Sequence, residues 1–226
     1  MAKEVMTPQE EALAQAQAQA ETFFEKNSKM VVVAIVAIFA IAIAVFGYKK
    51  YVSEPNMNKA QEMLYKAQYL FEEANPDYSL ALNGNESTPG FAEVAEQYGN
   101  TPAGNLANMY AAACALRLGD FDAAEKYINS YKNVKGTAGE MVNAMAEGIK
   151  GDIAVEKGDY AKAATLFENA AKVSDNDFTT PLYLRKAALA FSATGDEAKA
   201  QECYKTISEK YPRSMDARDA MKQLAE

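Results

Sequence analysis

The sequence predicts an all-α chain: a single N-terminal transmembrane helix, then an α-solenoid of about three helical hairpins plus flanking helices. Three observations predict it. Residues 30–47, MVVVAIVAIFAIAIAVFG, carry neither a charge nor a side-chain amide. A glycine-aspartate segment recurs three times in the C-terminal half, its glycines at positions 119, 158 and 195. Beyond Phe91, helical patterns alternate with short breaks and no β-rich run of strand length intervenes.

Residues 1–29 predict a short cytoplasmic helix. Thr7, Pro8 and Glu10 make a capping-box start, and the Ala/Gln repeat of residues 12–20 is a strong helix former without a broad apolar stripe. Residues 30–48 predict the anchor. Eighteen residues at a rise of about 1.5 Å each span roughly 27 Å, close to the hydrocarbon thickness of a bilayer. Tyr48 and Tyr51 stand where an interfacial aromatic belt would be, and Lys49 and Lys50 follow as snorkelling cations. The 29-residue leader carries three lysines against five glutamates, which fits an uncleaved anchor better than a signal peptide with its short basic start. Lys26 and Lys29 flank one end of the run and Lys49, Lys50 and Lys59 the other, so charge counting leaves the orientation open.

Residues 49–104 read as linker helices and a loop. Met57, Ala60, Met63, Leu64, Ala67, Leu70 and Phe71 recur at three- and four-residue spacing, which predicts an amphipathic helix over 57–74 stopped by Asn75-Pro76-Asp77. Residues 105–226 read as the repeat domain with a C-terminal capping helix. The three repeated segments are GDFDAAEKY from Gly119, GDYAKAATLF from Gly158 and GDEAKAQECY from Gly195, spaced 39 and 37 residues apart. Glycine supplies the left-handed turn that ends a hairpin's first helix, and aspartate caps its second. Phe121 and Tyr160 plug the closed end, and Ala124, Ala163 and Ala200 let the helices approach closely. Glu197 replaces the turn aromatic in the third copy. Pro212 closes that unit, and 213–225 has the charge-studded pattern of a solvating terminal helix.

Composition narrows the function by exclusion. There is no histidine, and Cys114 and Cys203 are the only cysteines, so histidine-based acid/base chemistry and thiolate metal sites have no residues to build on. A formal charge of −8 argues against a nucleic-acid binder that depends on phosphate contacts. Carboxylate pairs such as Asp120–Asp122 and Asp175–Asp177 fall at helix ends, where they cap or stay solvated. No phosphate-binding glycine loop or nucleophile motif is present. The expectation is a protein that is not an enzyme, with no cofactor, no metal and no catalytic residue. Packed helix layers separate the two cysteines by more than a disulfide's reach, so both are expected as small buried hydrophobes.

The three repeated segments resemble tetratricopeptide repeats, slightly longer than the usual unit. Phe23-Phe24-Glu25-Lys26-Asn27 before one anchor, then Gly90-Phe91 and the stretch Tyr98-Gly99-Asn100-Thr101-Pro102-Ala103-Gly104-Asn105-Leu106-Ala107 leading into the repeats, narrow this further. The whole chain is similar to the YfgM-like membrane-anchored tetratricopeptide proteins of the Bacteroidetes type. That resemblance implies a single-pass inner-membrane protein, N-terminus cytoplasmic and repeats periplasmic. It also implies an ancillary role at the Sec translocon, alongside a membrane-anchored prolyl isomerase, in handling secreted chains.

The repeat phase places the first helix of each hairpin along a face able to receive a peptide. On it the groove residues are expected to be Leu106, Met109, Ala113, Leu116 and Arg117, then Met145, Asp152, Val155 and Glu156, then Leu182, Arg185 and Leu189. Two other readings of the residues stand beside partner binding in this groove. Close-packing alanines at 34, 37 and 40 suit a homo-oligomeric envelope or cell-division scaffold, and the lysine bias taken literally suits a cytoplasm-facing docking adaptor.

Overall fold

The computed structural model describes residues 7–225, which divide into two compact units, one up to Pro55 and one from Asn56. Among the described residues every regular element is helical, and the sole β contact is an isolated bridge between Gly84 and Pro89. Residues 1–6 of the expected leader helix lie outside the described residues.

In the first unit, α1 (Pro8–Tyr48) takes in both the Ala/Gln leader and the apolar run. Its start at Pro8 agrees with proline's preference for the first helical position, although the side chains of Pro8 and Glu10 are outside the description. The two parts are separated at Asn27, whose φ of −116° and ψ of 19° leave the helical region. The Asn27 amide donates to the Phe23 carbonyl at 2.9 Å, so the side chain occupies an acceptor that the regular ladder would use further along. The break falls three residues ahead of the apolar run. From Met30 to Phe46 every large hydrophobic side chain but one is exposed, the exception, Val31, being half-buried. The helix is therefore long and apolar enough to cross a membrane, with apolar groups on all its faces. A π-helical turn, Lys49–Ser53, follows it.

In the second unit, α2 (Glu54–Phe71) buries Ala60, Leu64 and Ala67, the stripe that its spacing predicts, but stops three residues before the expected end. Asp77 does not only terminate: its carboxylate accepts from the Leu80 amide at 2.9 Å and starts α3 (Tyr78–Asn83). Phe91–Tyr98 form α4. These helices, expected as linker, form the first layer of the core. Phe71, Tyr78, Phe91 and Tyr110 meet edge-on or stacked, the Phe91 and Tyr110 rings lying 4.8 Å apart at an interplanar angle of 9°. Their burial comes from rings that meet across the fold, a contact that no local spacing announces.

Three hairpins then follow: α5 (Pro102–Arg117) with α6 (Phe121–Ser130), α7 (Thr137–Glu156) with α8 (Tyr160–Val173), and α9 (Thr179–Ala193) with α10 (Glu197–Lys210). A short α11 (Ala217–Gln223) buries Ala217 and Ala220 against α10. Each hairpin turn repeats one solution. Gly119, Gly158 and Gly195 adopt φ of 79°, 77° and 80°, where a Cβ would be strained. Asp120, Asp159 and Asp196 accept from the amides of Ala123, Lys162 and Lys199, completing the cap.

The buried side chains form two clusters. The first runs from Leu64 to Ile153 and the second from Ala144 to Ala220, so α7 gives Ala146 and Ile153 to one and Ala144 and Ala154 to the other. Cys114 and Cys203 are both buried and free, one in each cluster. Burial pushes the Cys114 thiol up to about 12 and the Cys203 thiol up to about 11.

Candidate functional site: the face of the first helices

The first helices α5, α7 and α9 are neighbours in sequence order, α5 touching α7 and α7 touching α9. The seating of α7 on α8 and α9 is set by two glycines and one ion pair. A Cβ on Gly148 would lie 2.2 Å from the Tyr183 ring, and a Cβ on Gly151 would lie 2.5 Å from the Phe167 ring. Glycine at both positions therefore lets α7 settle directly onto aromatic rings of α8 and α9. One turn further along, the Lys186 ammonium meets both carboxylate oxygens of Asp152 at 2.8 Å. The contacts 148 to 183 and 152 to 186 advance in the same direction, so the two helices run parallel.

Two recesses open on this face. The larger, about 520 Å³, is lined by Leu116, Arg117, Gly119, Phe121, Asp152, Val155, Glu156 and Lys186. The smaller, about 200 Å³, is mainly apolar and lined by Val155, Tyr160, Phe167, Leu189, Ala190 and Ala193 with Asp152 and Lys186. Asp152, Val155 and Lys186 belong to both, so the ion pair is the wall between them. Lys186 is fixed from below as well: its ammonium lies 5.4 Å from the Phe167 ring centre and 5.9 Å from that of Tyr183. The two rings stack at 12°. Burial, helped by the Asp152 charge, pushes the Tyr183 phenol above its ordinary range.

The structure brings Leu116, Arg117, Asp152, Val155, Glu156 and Leu189 together around these recesses. It places the remaining expected groove residues elsewhere. Met109 is 3% exposed and belongs to the first core cluster, so it packs rather than lines a surface. Leu106 packs on the same cluster and Leu182 on the second. Ala113 is half-buried on α5. Arg185 turns to Asp216, ahead of α11, and is engaged by that carboxylate. Met145 stays 41% exposed on α7, seven residues before Asp152 and so on the same side of the helix. Helices α3, α4 and α6 all pack on α5, so more of its circumference is buried than a strict repeat phase allows.

Lys186, Tyr160, Phe167, Ala190 and Ala193 are site residues that the repeat phase alone does not single out. Lys186 carries a signal nonetheless, standing four residues after Leu182 and three before Leu189, on one helical face with both. Among the described residues no group of three or more Asp, Glu or Cys side chains is arranged to hold a metal ion.

No curated protein and no solved structure matches the chain. A family model, the tetratricopeptide repeat-like domain, matches residues 21–133, which is half of the chain. The match takes in the apolar run, the aromatic layer and the first hairpin, and such domains act in protein–protein interaction. With helical hairpins stacked in sequence and the glycine-aspartate turn repeated three times, the chain belongs to the tetratricopeptide repeat-like domain family.

Proposed function

We propose that this protein is a non-enzymatic, membrane-anchored binding module whose first-helix face holds a protein partner. The observation that carries the reading is the pair of adjoining recesses spanning α5, α7 and α9, one polar and one apolar, separated by a held ion pair. Side-by-side polar and apolar pockets on a rigid helical scaffold suit recognition of a peptide segment. A mechanism by binding alone agrees with a site whose central charges, Asp152 and Lys186, are held by one another. The exposed apolar faces of α1 support an anchor that spans the bilayer and concentrates the repeats beside it.

The narrower reading rests on the resemblance to the YfgM-like proteins: repeats on the periplasmic side of the inner membrane, beside the Sec translocon and a membrane-anchored prolyl isomerase, engaging chains as they emerge. The test is gentle detergent extraction of a tagged, natively expressed copy, with mass spectrometry of what co-purifies and a Leu116→Asp/Leu189→Asp variant in parallel. Translocon subunits recovered with the natural sequence and lost with the variant are the expected result. Recovery of only self-associated chain or division proteins overturns it, and recovery that the variant leaves unchanged removes the groove from the account. Protease accessibility in spheroplasts reports the side on which the repeats lie.

A further inference from the structure

We infer that a polar recess bounded by α4, α5 and α6 holds an extended polypeptide segment by its main chain, through the side-chain amides of Asn100, Asn108 and Asn129. This surface is distinct from the two recesses of the first-helix face, and the inference goes beyond the function proposed for them.

The chain itself shows what its asparagines do with a backbone. Asn105, on α5, exchanges two hydrogen bonds with Lys132: its amide donates to the Lys132 carbonyl at 2.7 Å, and its Oδ1 accepts from the Lys132 N–H at 2.7 Å. Asn143, on α7, does the same with Val134, its Oδ1 accepting at 2.9 Å and its amide donating at 2.8 Å. A side-chain amide offers one acceptor beside its donors, as a peptide group does, so it pairs with a main chain whatever side chains that chain carries.

Asn108 stands three residues after Asn105, on the same side of α5. It lines a recess of about 610 Å³ that Lys132 also borders. Asn108 is only 7% exposed, and its one hydrogen bond runs from Nδ2 to the Gly104 carbonyl of its own helix at 3.1 Å. Among the described residues nothing donates to its Oδ1, yet that oxygen is not sealed from solvent. A buried amide costs stability unless its groups are paired, so an acceptor kept at this depth marks a place for a donor from outside. Asn100, just after α4, and Asn129, on α6, line the same recess, and neither amide has a partner among the described residues. Glu96, Lys126 and Lys132 on its rim are exposed and of both signs, so the amides rather than net charge set what is bound. A sugar diol offers a comparable donor and acceptor, but the two pairs already made within the chain are with peptide groups.

The test uses the full chain in detergent and a fluorescein-labelled Gly-Ser-Thr-Ala-Thr-Ala-Thr-Ser-Gly probe, read by anisotropy in the same micelles for every variant. A second probe replaces the central Thr and Ala residues by Val and Gln, and a third keeps the first sequence but carries N-methyl groups on both alanines. The first two are expected to bind within about two-fold of one another, and the N-methylated probe about ten-fold more weakly, since it has lost main-chain donors. Asn108→Leu should lower affinity for the first probe by about ten-fold while keeping or raising the midpoint of chemical denaturation, because the Gly104 carbonyl retains its helical donor and a buried amide is removed. Asn100→Ala/Asn129→Ala, which changes recess residues outside the core, should weaken binding by a similar factor. Leu116→Asp/Leu189→Asp should leave it unchanged, so that failure of the first-helix face and failure of this recess are told apart. Absence of binding by any probe, undiminished binding in Asn108→Leu, or loss of binding in Leu116→Asp/Leu189→Asp overturns the inference. An N-methylated probe that binds as tightly as its parent, or displacement of the probe by maltotriose, overturns it as well, the latter in favour of a sugar.

Discussion

The Lys186 ammonium lies 2.8 Å from both carboxylate oxygens of Asp152 and 5.4 Å above the Phe167 ring, tying three successive helices at one point. Asp152 is on α7, Phe167 on α8 and Lys186 on α9. Both charged side chains remain about one-third exposed, so the Coulombic part is modest and the arrangement acts chiefly to hold geometry. Lys186→Met keeps the stem over the ring and leaves Asp152 alone. It should lower unfolding stability by about 1 kcal/mol, read as a lower midpoint in chemical denaturation followed by circular dichroism.

Gly148 and Gly151 make a sharper test, because the atoms that would collide belong to rings inside the packed interface. Gly148→Ala should destabilise by about 1–3 kcal/mol even though alanine is the better helix former, since Tyr183 must move. A stabilised Gly148→Ala variant in a thermal melt would mean that α7 and α9 are not in direct contact there.

Buried thiols give a pH prediction. In the folded chain Cys114 titrates at about 12 and Cys203 at about 11, against about 9 when exposed, so each holds its proton longer than in the unfolded chain. A pKa raised by folding stabilises the native state fully below pH 9 and progressively less as pH rises through 11 and 12. Stability should therefore decline over that alkaline window, and the decline should shrink in Cys114→Ala/Cys203→Ala. Alkylation at pH 8 should be slow with native protein and fast once it unfolds.

The anchor can be tested by one charge. Phe39 lies at the middle of the apolar run, where Phe39→Asp should cost about 3 kcal/mol of membrane insertion. Carbonate extraction should leave the natural chain in the membrane fraction and release a substantial part of the variant. Equal retention of both would count against a span centred on that residue.

The hairpins were legible because their signal is local. A left-handed glycine and a capping aspartate depend on five adjacent residues, and these recur at Gly119, Gly158 and Gly195 with the expected backbone and hydrogen bonds. The role of residues 57–100 was not legible as core, since Phe71 and Phe91 pack on a tyrosine of α5. Of the residues that helical phase offers for the groove, half line the two recesses. Phase does not reveal that α3 and α4 also pack on α5, or that Met109 belongs to the core. Nor does it reveal that Arg185 has a partner beyond the repeat, in Asp216.

The division of α7 between two core clusters has a consequence for cooperativity. Ala146 and Ile153 seal one cluster while Ala144 and Ala154 seal the next, so neither half of the array can open at this boundary without stripping one side of the same helix. Exchange of the α7 amides should therefore report the free energy of joint opening, while α3 and α11, each bound into one cluster alone, exchange through smaller fluctuations. A partner seated against α7 would raise the protection of both halves at once, and the occupied protein would melt as one unit where the empty one frays from its ends.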